Sequence, residues 1–468
     1  MNENNISTKL KRIEENISNL RSLLGVKEDG QLEDIEKVLN PETGLVITKR
    51  DENGNAIEAT LKSYGETGYP EKLMLTGAFF DKCETLILDE SVQSPPKEFF
   101  SGCDKVKTLV IKNPNFYNTP TYFMNNAYYS GSCLNGMASL ERIDGPIKNL
   151  YMSMFSSNKN LKYIDWSTVP SHIPAGAFDG CTSLEMTEWP SQVTSINNYY
   201  ASGSGARVFS GCAAFSFDEI PENVVLKNQS TSSFHYTKDI FSGCKNIRIT
   251  KIPSSWKCLG KNFFKGCTNI KITDFSNITH LGEYAFSGSG IETFSFGPNF
   301  TSWESGVLQN CNSLTSVDFT NYPLTSIPAR TFSGCANFKK VNFGPYAGTV
   351  TGDFTFENSG AISIMAPNVT SFGTGSTSYS FFGGANAKLK AIWFGSNLSD
   401  IKAYTFYKVT SLKRIYIDKP RSVVSAMSNY SSTWSNKTAT NAKIICNDDP
   451  DFLTQEEFNA IDWETYTI

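Results

Sequence analysis

The apolar positions of this chain fall into one phrase that keeps returning. In FSGCANFKKVNF, Phe332 to Phe343, a Phe is followed by a Gly and a Cys two and three residues on, then by apolar residues three, six and eight after the Cys. The same frame begins at Phe100, Phe178, Phe241, Phe264 and Phe286, with weaker copies at Leu308, Phe356 and Phe406. Following the Cys position gives Cys83, Cys103, Met137, Asn158, Cys181, Cys212, Cys244, Cys267, Ser289, Cys311, Cys335, Ser359, Ala385 and Val409, about fourteen units. A twenty-odd-residue period carrying a short strand pattern predicts a β-rich solenoid. In each unit the strand after the Cys should send its first, fourth and sixth residues inward, and the Phe should fill the far side of the coil.

The better units carry a second apolar beat before the Phe, as in LTSIPARTF, ITHLGEYAF and LSDIKAYTF. The full unit is then L-x-x-I-x-x-x-x-F-x-G-C-x-x-L-x-x-I-x-F. This phrase resembles the BspA-like branch of leucine-rich repeat proteins over roughly residues 76–420. The resemblance implies a leucine-rich repeat array that binds rather than catalyses, although a fold does not fix a function.

Outside the array the pattern changes. Ile6, Leu10, Ile13, Ile17, Leu20 and Leu24 alternate spacings of four and three, a heptad seam within a helical segment, residues 1–40. It reads either as an oligomerising coiled coil, with Ile at d favouring a trimer over a dimer, or as a helix capping its own array. Leu32 to Leu39 reads as a second short helix. Residues 41–75 include two strands joined by a turn around Glu52 to Asn55, a hairpin linker or N-cap. In residues 421–468 a strand at Ala442 to Cys446 and a helix capped by Thr454, with Glu457 three residues on, should close the C-terminal end. That tail also resembles the closing segment of BspA-like proteins of gut bacteria and their phages.

Composition narrows the function. Lys plus Arg is 42 and Asp plus Glu is 46, a formal charge of -4 that argues against a nucleic-acid partner. No apolar run is long enough to insert into a membrane, and residues 1–30 lack the apolar core of a secretion signal. Of the 11 cysteines, eight share one repeat position where Ser, Ala, Val, Asn or Met stands in other units, as a buried column tolerates and a metal ligand or disulfide does not. His172, His235 and His280 fall at unrelated repeat positions, and no phosphate loop, dinucleotide or nucleophile motif is present. No catalytic residue, metal or cofactor is expected.

Candidate binding residues come from two places. On the strand face, the position between the fourth and sixth residues should meet solvent and holds Ser295, Asp318, Asn342, Trp393 and Tyr416, with Lys390 and Arg414 beside the last two. Either these aromatics contact a ligand or the C-terminal tail covers them. Long units insert loops rich in Tyr, Asn, Ser and Gly that carry Tyr122, Tyr199, Tyr200, Phe234 and Tyr236, which either touch a partner or pin the loops down. The expectation is a phage virion appendage, a fibre or baseplate part, that recognises a host-surface protein or glycan as a homo-oligomer. The alternative is a bacterial cell-surface adhesin of BspA type.

Overall fold

The computed structural model describes residues 39–40, 45–62, 75, 80–92, 99–100, 102–116, 134, 137–197, 206–227, 229, 237–322, 324–374, 381–383, 387–427 and 442–467. The heptad from Ile6 to Leu24 lies outside them. The chain divides into two compact units, Met1–Glu185 and Met186–Ile468.

The first unit is organised on a six-stranded sheet. β1 (Leu39–Asn40), β2 (Leu45–Arg50) and β3 (Ala56–Leu61) are antiparallel, so Leu39 lies in a strand rather than at the end of the expected helix. Asp51 fixes the β2–β3 turn: its carboxylate accepts from the backbone N–H groups of Asn53 and Asn55, and Gly54 takes φ 82°. Together with the Asn55 side chain and Lys82, these bonds hold the Asp51 carboxyl far below its usual range. From β3 onward pairing is parallel, through β4 (Thr85–Leu88), β5 (Thr108–Ile111) and β6 (Arg142–Asp144). The second beat contributes β7 (His172–Ile173). Val106, Leu109 and Ile111 are buried, as the first, fourth and sixth residues of a rung should be.

The register corrects one assignment. Thr85 pairs with Thr108, which puts Cys83 level with Val106 and Phe80 level with Cys103. The Cys83 thiol accordingly turns to its own strand, 3.7 Å from the Thr85 carbonyl, and is not part of the column begun by Cys103.

In the second unit two parallel ladders run side by side. The strands after the Cys position are β12 (Thr293–Ser295), β14 (Ser316–Asp318), β15 (Lys340–Asn342), β17 (Ser363–Ala366), β19 (Ala391–Phe394) and β21 (Arg414–Ile417), and the C-terminal strand β22 (Lys443–Cys446) is added after the last unit. The second beat forms β8 (Ser195–Ile196), β9 (Val225–Leu226), β10 (Cys258–Leu259), β11 (His280–Leu281), β13 (Ser302–Trp303), β16 (Thr349–Val350), β18 (Ser371–Phe372) and β20 (Asp400–Ile401). β15, β17, β19, β21 and β22 form one five-stranded parallel sheet.

Between the ladders, the Phe of each unit stacks on the Phe of the next. Ring centroids lie 5.5 Å apart for Phe241–Phe264, 5.7 Å for Phe264–Phe286, 5.5 Å for Phe332–Phe356 and 5.9 Å for Phe382–Phe406, near the spacing of neighbouring strands. The Cys column lies beside them. The thiols of Cys244, Cys267, Cys311 and Cys335 each donate to the carbonyl of the Phe-position residue one coil earlier, at 3.0–3.1 Å. In the first unit Asn158 does the same with its amide, 2.9 Å from the Leu134 carbonyl. Where Cys or Asn stands, the position thus ties one coil to the one before through a compact donor, and the ten described cysteines are all free and buried.

The Gly before the Cys has a backbone reason. Gly243, Gly266, Gly288 and Gly334 have φ between 67° and 79°, and where Gly is missing, Asn310 and Asn358 adopt the same left-handed conformation. This conformation lets N–H groups of one coil reach carbonyls of the next, as Tyr284, Phe286 and Gly288 reach Ser305, Val307 and Gln309.

Candidate functional site

The strand face of the second unit changes character along its length. The outward position of successive rungs holds Ser295, Asp318, Asn342, Met365, Trp393, Tyr416 and Ile445, aligned by strand pairing except across the unpaired β14–β15 step. The first three are polar and partly or fully exposed; the last four are apolar and buried.

What buries them is the chain's own tail. After β22 the chain turns back across the strand face and forms α2 (Gln455–Ala460), α1 being the short helix Arg421–Ser425. Thr454 caps α2, accepting from the Glu457 N–H while the Glu457 carboxylate accepts from the Thr454 N–H. Phe458 and Trp463 pack with Met365, Trp393, Tyr416 and Ile445 in one core, with Phe452, Leu453 and Ile461 around it. Trp393 is 4 % and Tyr416 5 % exposed, which corrects the expectation that they face solvent. The Trp393 indole N–H donates to the Leu453 carbonyl at 2.8 Å, and the Tyr416 ring lies 5.7 Å from that of Phe458. Burial pushes the Tyr416 phenol up.

Electrostatics fastens the same strap. From Asn447 to Ile468 the chain carries seven acidic residues and no basic one, whereas the sheet edge it crosses carries Lys339, Lys340, Lys390, Lys413, Arg414 and Lys443. Lys339 pairs with Glu464 at 2.6 Å, and Lys443 pairs with Asp451. Lys390 donates to the Glu464 carbonyl at 2.9 Å, so this candidate binding residue is a fastening point for the tail. The Lys443 hydrogen bond, its charge and that of Arg414 lower the Asp451 carboxyl. A pocket of about 270 Å³ opens where the strap ends, between Thr315, Asn337 and Lys340 on the sheet and Asp462 to Glu464 on the tail.

Of the other sequence candidates, Tyr122, Tyr199, Tyr200, Phe234 and Tyr236 lie outside the described residues. Two groupings were not legible in the sequence. Met365 belongs to the outward column, which only its pairing with Asn342 and Trp393 reveals. His280 has Nδ1 2.7 Å from the Thr279 hydroxyl and 3.7 Å from the Cys258 thiol, and Nε2 2.9 Å from the Thr301 hydroxyl. Burial lowers the imidazole's pKa and raises the thiol's, so both neutral forms are favoured and the pair is not set up as an ion-paired nucleophile. Among the described residues no helix is long and apolar enough to cross a membrane.

The sequence profile described as BspA type leucine rich repeat region matches in six copies, over residues 130–224, 204–315, 235–363 and 305–436. Among solved structures, a leucine-rich repeat protein from Bacteroides ovatus is 19% identical, with 77% of this chain and 91% of that one covered and a TM-score of 0.43. A leucine rich cell surface protein from Faecalibacterium prausnitzii is 17% identical, with 81% and 95% covered and a TM-score of 0.35. No curated protein matches. The repeat profile spans residues 130 to 436, well over half of the 468, and the chain belongs to the BspA type leucine rich repeat family.

Proposed function

We propose that this chain is a recognition protein that works without catalysis, a repeat scaffold at a cell surface that binds a protein or glycan of a host matrix or of another cell. The use of the repeat's own chemistry supports the reading most directly. The thiols, the most nucleophilic groups that the repeat supplies, are directed inward, hydrogen-bonded to carbonyls and pushed up by burial, to about 11 at Cys311. What the coils turn outward is polar rung residues and turn side chains on a backbone fixed from coil to coil, as a binding scaffold requires. Capture of the purified full chain on intact host epithelial cells and on immobilised matrix proteins tests it. Saturable binding to at least one is expected; its absence from both contradicts the reading.

A second reading, a virion fibre or baseplate appendage, rests on the heptad of Ile6, Leu10, Ile13, Ile17, Leu20 and Leu24. Under it, light scattering gives a trimer for the full chain and a monomer once residues 1–40 are removed. A monomer in both cases rejects the stem.

A further inference from the structure

Five residues before its Cys position each coil makes a turn in which the backbone goes left-handed. Through the second unit that place is held by Arg207, Asp239, Asn262, Tyr284, Gly306, Arg330, Phe354 and Tyr404, with φ from 42° to 66°. Gly, Asn and Asp enter this conformation readily; a ring or a guanidinium does so against its own preference. The fold is indifferent to what stands there, since Asn262 and Gly306 make the same inter-coil bonds as Tyr284 and Arg330. The aromatic choice therefore has its reason in what the side chains present, and strained positions of this kind gather where a ligand is met.

The side chains form flat platforms. Lys261 and Lys265 lie 5.9 and 5.6 Å from the Tyr284 ring centre. In the next coil a Cβ on Gly306 would sit 2.3 Å from Tyr284 Cε1, so the absence of a side chain gives the ring room to lie along the coils. Further on, the Arg330 guanidinium covers the Phe354 ring at 4.5 Å. Tyr284, Arg330 and Phe354 take the first, third and fourth of four adjacent coils, a track of roughly 15 Å at about 4.8 Å per coil. All three are partly exposed, as are Gln309 in the second coil and Glu357 in the fourth, each three residues past the turn position, and Lys265, at the same place in the coil before Tyr284, is exposed.

We propose that this line of turns binds a neutral polysaccharide, whose sugar rings lay their C–H faces on Tyr284 and on the Arg330–Phe354 pair and whose hydroxyls reach Lys265, Gln309 and Glu357. The charges favour a neutral chain: Lys261 is paired by Glu283 and Arg330 faces the charge of Glu357, so that Lys265 is left as a single cation beside Tyr284, little field to gather an acidic polymer. Platforms set among exposed polar groups stay wet, whereas a protein anchor needs a desolvated pocket around it. This rests on the recognition reading above.

Affinity electrophoresis of the full chain through native gels containing mannan, xylan or β-glucan, with polygalacturonate as the acidic arm, tests it. The variant joins Tyr284→Asn, Arg330→Asn and Phe354→Asn, placing at each turn the residue that Asn262 already supplies. Wild type should be retarded by at least one neutral polysaccharide. The variant should bind it about tenfold or more weakly, with a melting temperature equal to or above wild type. Tyr284→Asn alone gives the same readout if the triple variant fails to fold. Retardation by no neutral polysaccharide, by polygalacturonate only, equal retardation of the variant, or a single variant that melts below wild type would overturn the proposal. Wild type captured by cells yet retarded in no gel would remove the polysaccharide and leave the recognition reading standing.

Discussion

At the scale of single residues, the stack is held by repeated small contacts that each coil makes with the next. Phe332 is fully buried, 5.5 Å from Phe356 and 5.0 Å from Phe338. Phe332→Ala should cost about 3–5 kcal/mol in chemical denaturation, the usual penalty for emptying a ring-sized site; a loss under about 1 kcal/mol would mean the coil collapses around it. The thiols set a pH dependence. Burial raises Cys83 and Cys311 to about 11 and Cys181 to about 12, from 9.0. Above pH 9 the unfolded chain gives up thiol protons that the folded chain keeps, so stability present in full below about 9 is lost between roughly 9 and 12. Melting temperature should be level up to about pH 8.5 and then fall, and iodoacetamide should leave the column cysteines unlabelled until the protein is denatured.

At the scale of elements, the strap matters most. Trp463 is 1 % exposed, its indole N–H donates to the Phe458 carbonyl of α2 at 3.1 Å, and its ring packs 6.4 Å from that of Tyr416 on the sheet, so it ties α2 to the strand face. Trp463→Ala should cost about 3–5 kcal/mol and make Trp393 accessible to acrylamide quenching. Thr454→Ala, which removes the α2 cap, should cost about 1 kcal/mol and leave Trp393 covered. The coils were legible in the sequence because most of them pose the same demand: a ring, a left-handed turn and a small residue at fixed spacing. Cys83 was misplaced because an apolar pattern records size but not register, and Phe80 stands where later units have Cys. The outward direction of Trp393 and Tyr416 was also legible. Their cover by the tail was one of two readings that the sequence left open, undecided there because Leu453 lies 60 residues from Trp393 and belongs to no repeat.

At the scale of the whole molecule, one short phrase builds a scaffold and the departures from it carry the individuality of this chain. The acidic strap occupies the aromatic end of the strand face, and the rungs beyond it, Ser295, Asp318 and Asn342, stay polar and partly or fully exposed. Under the proposed reading, such an arrangement holds a partner and leaves it unchanged. The most direct measurement is to titrate the full chain calorimetrically with the surface protein or glycan it captures, then recover that partner and weigh it by mass spectrometry. The account predicts saturable, reversible binding and a partner of unaltered mass. A partner recovered cleaved or modified, or heat that never saturates, would contradict it.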